Sequence, residues 1–203
     1  MERIFNIDNP IWKFIGNIAD MFLLSILWYI CLIPLVTAGC GTTAVYYVTL
    51  KMTRDLEGKT FSQFKKSFKM NFKQSTVMWV PAVIILAILF LDIRMAMLSN
   101  SAIGPVLAGF FFVTALIIYL LLSMLFPLIA RCEDSNIAQL KNCAKICIRN
   151  PLAVLSIALI NTATFLFGLF VFWPLLLIAP GLSAYLNSYV INRIFDKYSM
   201  DLL

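Results

Sequence analysis

Cys143 and Cys147 stand four residues apart, one helical turn, close enough for two thiolates to share a metal. No second pair supports them. Cys31, Cys40 and Cys132 are scattered, and the 203 residues contain no histidine to complete a tetrahedral set or to act as a general base. The expectation is reduced packing cysteines, with no metal and no cofactor. Glu133 and Asp134 are adjacent in a polar loop and read as solvated rather than as an acid–base pair. Asp92 and Arg94 lie two apart, so on a helix they point to different faces. No serine lies in a nucleophile motif and no glycine-rich phosphate loop occurs, so the chain reads as a non-enzyme that hydrolyses no nucleotide.

The chemistry that the residues do offer is binding. From Thr60 to Ser75, Phe61, Phe64, Phe68 and Phe72 fall on one face of a helix, with Lys65, Lys69 and Lys73 on the next stripe. The pattern returns 76 residues later: Ile137, Leu140, Ala144 and Ile148 are apolar, and Lys141, Lys145 and Arg149 are basic. Thr60 with Gln63, and Asn136 with Gln139, occupy capping positions. Such helices lie in a membrane interface, apolar keel in the acyl boundary and cations among anionic head groups. Each lysine near an anionic surface contributes about 1 kcal/mol, so Lys65, Lys66, Lys69 and Lys73 suffice for anchoring and leave partner docking as an added role.

The elements that hold these stripes are membrane segments. The chain is 62% hydrophobic and 13% charged, far from soluble composition. The expected fold is an all-α membrane protein: about six transmembrane or partly spanning helices in three hairpins, plus the two cytoplasmic interfacial amphipathic helices. It forms one integral membrane domain over 1–203, with hairpin units of roughly 1–58, 60–130 and 135–203. Trp12 is a candidate interface anchor. Strong apolar runs cover Phe14–Leu35, Thr76–Leu98, Pro105–Ala130 and Pro151–Trp173. The piece from Cys40 to Thr53 is short: a short span, or a re-entrant helix buried among others. The connection over 51–75 holds seven of sixteen basic residues and that over 131–150 holds four. The positive-inside rule then puts both stretches and both termini in the cytoplasm of a multi-pass plasma-membrane protein, with the turn at 99–104 outside. The net charge of +6 suits an anionic leaflet better than nucleic acid.

Gly39, Gly41 and Ala44 form a small-residue seam where another helix can approach, and Gly181 and Ala184 repeat it. Tyr46 and Tyr47 beside it could stack on a sugar, or could simply sit at the interface. Asn161, Thr162 and Thr164 are polar in mid-segment and call for partners on neighbouring helices or for a substrate path. Asn9-Pro10 leads through 23 residues to Pro34-Leu35, and Asn150-Pro151 through 22 to Pro174-Leu175. The echo reads as a parallel repeat, although both residue pairs are common.

Three stretches, F-N-x-D-N-P at Phe5–Pro10, P-L-V-T-A-G-C-G-T-T-A-V-Y-Y-V at Pro34–Val48, and F-K-K-S-F-K-M-N-F-K-Q-S at Phe64–Ser75, together resemble the YesL-type family of small bacterial membrane proteins. The resemblance implies the company of carbohydrate ABC transporters and glycan-degrading enzymes in Gram-positive bacteria, and no catalytic residues. The expected function is a non-enzymatic membrane accessory subunit of an oligosaccharide ABC transporter, binding or stabilising its permeases. An independent small transporter or channel is the alternative. The chain is not itself a permease, because its cytoplasmic connections lack the Glu-Ala-Ala-type loop that contacts the ATPase.

Overall fold

The computed structural model describes residues 10–56, 58–99 and 103–198. Phe5–Asn9, Trp12's side chain and much of the 99–104 turn lie outside the described residues. Among the described residues the fold is seven α-helices and no strand. They are α1 (Pro10–Leu32), α2 (Ala38–Met52), α3 (Thr60–Leu98), α4 (Gly104–Arg131), α5 (Asn136–Arg149), α6 (Pro151–Phe170) and α7 (Ala179–Tyr198), with a 3-10 turn at Trp173–Leu177. Helices α1, α3, α4 and α6 are long and apolar enough to cross a membrane. The chain is a multi-pass membrane protein.

The polarity is arranged from the inside out. The long helices leave Ile84, Phe90, Met95, Val106, Phe110 and Phe170 exposed, a surface that only lipid or protein can cover. The shorter α2 and α7 carry the polar side chains and are buried along most of their length. Hydropathy therefore finds four spans, and the two helices it misses are those whose neighbours are protein. α2 takes the buried alternative left open by sequence. Fifteen residues rise about 22 Å, short of a ~30 Å hydrocarbon core.

α2 packs closely on α3. The Cys40 thiol lies 3.1 Å from the Phe68 carbonyl, and a Cβ on the adjacent Gly39 would lie 2.5 Å from Trp79 Cβ.

Two expectations change. The first basic stretch is not a helix of its own; it forms the first four turns of α3, an unbroken 39-residue helix about 58 Å long. Nothing between Ser75 and Thr76 stops a helix, and Pro81 is carried within it. The proposed caps also move. Thr60 is buried inside α3, whose N-cap position is Lys59, with no side-chain bond. For α5 the cap is Ser135, whose hydroxyl accepts from the Ala138 N–H at 3.4 Å, and Gln139 instead donates to the Cys132 carbonyl at 2.6 Å. The sequence echo has a local counterpart: in each copy a proline opens a long helix and a buried helix begins 28 residues later, Pro10 to Ala38 and Pro151 to Ala179.

Candidate functional site

The two basic stretches meet at one end of the molecule. Gln74 Nε2 donates to the Asp134 carbonyl at 2.7 Å, joining the end of the α3 lysine ladder to the turn that starts α5. Lys65, Lys69, Lys73, Lys141, Lys145 and Arg149 are all exposed. Their apolar companions behave differently in the two helices. On α3, Phe64 is 5% exposed and packs in the core with Phe68 against it, rather than entering lipid. Phe61 and Phe72 remain exposed. The physical reason is the buried line Thr60, Phe64, Ser67 and Ser75, small enough beside the phenylalanine to admit α2. Thr43 Oγ1 and Ser75 Oγ close the contact at 2.9 Å.

On α5 the expected keel is left free by the protein. Ile137 and Ile148 are 67% and 80% exposed, and Leu140 is exposed beside them. The face that packs on α4 is Gln139, Cys143 and Ile146. At 100° per residue the three faces are distinct: protein on one, apolar side chains on the second, cations on the third. A helix of that kind fits a membrane surface beside a protein wall. Burial pushes the Cys132 thiol pKa up. The Cys143 thiol points to the Leu121 carbonyl at 3.4 Å, and its interaction with Cys147 one turn on lowers the Cys147 pKa and raises that of Cys143. Among the described residues no three His, Cys, Asp or Glu side chains come together in a metal site.

The small residues divide between two neighbours. Gly39 faces Trp79 of α3, whose indole N–H donates to the Leu35 carbonyl at 2.8 Å. Gly41 and Gly181 both face α1. A Cβ on Gly41 would come within 2.7 Å of Cys31 Cβ. One on Gly181 would come within 2.9 Å of Ser25 Oγ and closer still to the Met21 carbonyl oxygen. Ala44 and Ala184 are buried in the same core.

Sequence reasoning missed the polar seam between α2 and α7. Asn187, fully buried, donates to Asn161 Oδ1 at 2.8 Å and to the Tyr46 hydroxyl at 3.2 Å. Ser188 donates to Thr49 at 2.9 Å. Asn192 donates to Thr53 Oγ1 at 2.7 Å and to the Leu50 carbonyl at 3.1 Å. The spacing Asn187, Ser188, Asn192 on a helix was the available signal, since polar groups one turn apart in an apolar context need partners. A cavity of about 420 Å³ adjoins the seam. Trp28, Trp79, Tyr119 and Phe165 supply aromatic walls, with Tyr46 and Asn161 among its polar groups. Thr162 is bound to the Tyr119 hydroxyl at 2.9 Å and Thr164 to its own helix at Ile160, so neither is left as an open path. Tyr47 stands apart, its hydroxyl taken by Lys51 at 2.6 Å. Among the described residues no ion pair joins Asp92 to Arg94.

Residues 21–93 match a family described as "Protein of unknown function, DUF624". The match covers just over a third of the chain: the second half of α1, all of α2, and α3 as far as Ile93. No curated protein and no solved structure matches the chain.

Proposed function

We propose that this is a plasma-membrane protein whose work is binding rather than catalysis: an accessory subunit of an oligosaccharide ABC transporter, resting on the resemblance to the YesL-type family. The observation that carries the binding role is the junction of the two basic stretches at one end, held by Gln74 and Asp134. The lysine ladder of α3 is not a loose tether. It is fixed through Phe64 and Phe68 on α2 and presents Lys65, Lys69 and Lys73 from a rigid helix. α7 returns its C-terminal turns to the same end, where Asp196 pairs with Arg54 and Tyr198 accepts from Asn150 at 2.8 Å. That supports an inward-facing basic end with both termini on the cytoplasmic side.

The test is copurification. Gentle-detergent extracts of native membranes should yield transporter permeases with the wild-type chain and lose them with K65E/K69E/K73E. Deleting the protein should slow growth on the relevant glycan; undiminished uptake sinks the accessory role. Reagents that label residues 65–73 or 141–149 from outside intact cells would overturn the orientation.

The 420 Å³ cavity favours a second reading, a small carrier, because Tyr46 and Asn161 line it and both are bonded to Asn187, whose Oδ1 is buried without a partner among the described residues. Reconstituted vesicles that pass no sugar or ion remove it.

A further inference from the structure

Three cations close round a separate cleft of about 190 Å³ where the ends of α2 and α4 meet α7. Lys51 and Arg54 come from α2 and the turn after it, and Arg131 from the last turn of α4. Asn192, nine-tenths buried, sets the geometry: its Oδ1 accepts from Arg54 Nε at 2.9 Å and from Arg131 Nη1 at 3.3 Å. Two guanidinium groups thus converge on one neutral oxygen. Arg131 is braced from behind by the Phe195 ring, 4.9 Å from its guanidinium carbon. Lys51 lies 4.0 Å over the Tyr47 ring.

Among the described residues no carboxylate lines the cleft. Asp196 pairs with Arg54 at its margin and also acts on Arg131, and Asp55 lies in the following turn. The helix ends do not use up these cations. The Lys51 and Met52 carbonyls already accept from the N–H groups of Arg54, Asp55 and Leu56, and the Leu128 carbonyl from Cys132. Leu50, Leu56 and Ala130 also line the cleft and give it apolar surface.

We propose that this cleft binds a phosphate oxyanion, carried by an anionic lipid headgroup or by a small soluble phosphate ester. Arg54 and Arg131 grip the oxygens through their forked N–H groups, and Lys51 leaves the Tyr47 ring to close on them. The apolar surface takes the glycerol or carbon skeleton next to the phosphate. The volume leaves room for a phosphate and a three-carbon unit, not for a nucleotide. None of this requires a partner protein, so the site stands or falls independently of the accessory role.

Thermal unfolding of the purified chain in a neutral detergent tests it. The probes are short-chain phosphatidylglycerol, short-chain phosphatidylcholine and glycerol 3-phosphate. Phosphatidylglycerol should raise the midpoint and phosphatidylcholine should not. Stabilisation by glycerol 3-phosphate as well assigns a phosphate ester as sufficient; its absence assigns the lipid headgroup. The apparent affinity should fall about fivefold in K51Q and in R131Q, the loss expected for one cation near an anionic headgroup. R131K keeps the charge but loses the forked N–H pair and should fall between R131Q and the wild type, and the loss in K51Q covers the case in which R131Q does not fold. R94Q, at the opposite end of α3 from the lysine ladder, should bind as the wild type does. Equal stabilisation by both lipids, or an equal loss in R94Q, overturns the proposal.

Discussion

Substituting Gly181 by alanine tests the packing of α7 on α1 with a single methyl group. Gly181 lies in the first turn of α7, where backbone N–H groups have no partner within the helix. The Gly181 N–H is satisfied from another helix, by Ser25 Oγ at 2.9 Å. The single Ser25 O–H has the Met21 carbonyl at 2.8 Å and the Ile178 carbonyl at 3.0 Å as alternative acceptors, so one buried hydroxyl ties α1 to the start of α7. An alanine Cβ would fall within 2.9 Å of that hydroxyl and of the Met21 carbonyl carbon. The obstacle is backbone, which cannot rotate away, so the helices must separate. Overpacking costs about 1–3 kcal/mol and a weakened buried hydrogen bond about 1 kcal/mol more. A net loss of about 2–4 kcal/mol lowers the unfolding midpoint of a chain this size by roughly 4–16 °C. Gly109 is the control, because its Cβ would meet nothing within 4 Å. Alanine there should be neutral or stabilise by up to about 1 kcal/mol through helix propensity. The assay is thermal unfolding of detergent-solubilised protein, read as the fraction remaining monodisperse. Indistinguishable midpoints for G181A and G109A would refute the close approach of α7 to α1.

Four further outcomes are expected. S25A removes the cross-helix cap without adding bulk and should lower the midpoint less than G181A, by about 1–2 kcal/mol, because a buried N–H is orphaned; no change would mean water replaces the hydroxyl. N187A breaks two interhelical bonds, and at about 0.6 kcal/mol each in a membrane it should cost about 1–2 kcal/mol, measurable in the same unfolding assay, whereas N161A, which loses one, should cost about half. Among the thiols outside the spans, Cys147 should alkylate at lower pH than Cys143 or Cys132: its pKa is lowered, so its thiolate fraction rises first as pH rises, while theirs are raised. Cleavage after Lys145 separates Cys143 from Cys147, so peptide mass spectrometry reads each rate independently. Charge reversal of Lys141, Lys145 and Arg149 should reduce membrane yield while leaving the α4 contact of Cys143 and Ile146 intact, which protection from exchange in α5 would report.

The long apolar helices were legible because hydropathy over eighteen or more residues is a statement about solvent, and the solvent here is lipid. The basic stripes were legible because a 3.6-residue period survives whatever the helix packs on. Which apolar stripe faces lipid was not. Phe64 and Leu140 occupy equivalent places in their stretches, yet one is core and the other is exposed. The difference lies in the partner: α2 presents Cys40 and Thr43 to α3, small enough for a phenylalanine beside them, whereas α4 meets α5 along its Cys143 face instead. Capping residues failed for a related reason. Thr60 has the right type and spacing for a cap, but its side chain is claimed by burial, and local preference yields to tertiary contact.

The buried seam follows from the same competition. Asn187, Ser188 and Asn192 lower the hydropathy of α7, and Thr42, Thr43 and Thr49 lower that of α2, so neither helix could stand alone in hydrocarbon with those groups unpaired. Each resolves the other's need: Thr49 meets Ser188, and Leu50 and Thr53 meet Asn192. Such bonds are individually weak in a membrane, because the separated helices also find partners. Their weight lies in selecting one register of α2 on α7. Sliding α7 by one residue turns Asn187 and Asn192 about 100° away from their acceptors and into contact with apolar neighbours, which costs more than any single bond contributes. That register in turn brings Arg54 to Asp196 and Arg131 to Asn192, so the cleft at the basic end exists only if the seam is in place. N187A and N192L should therefore weaken phosphatidylglycerol binding as well as stability, although Asn187 lies outside the cleft. Loss of stability in N187A with undiminished lipid binding would show that the cleft is held by α2 and α4 alone.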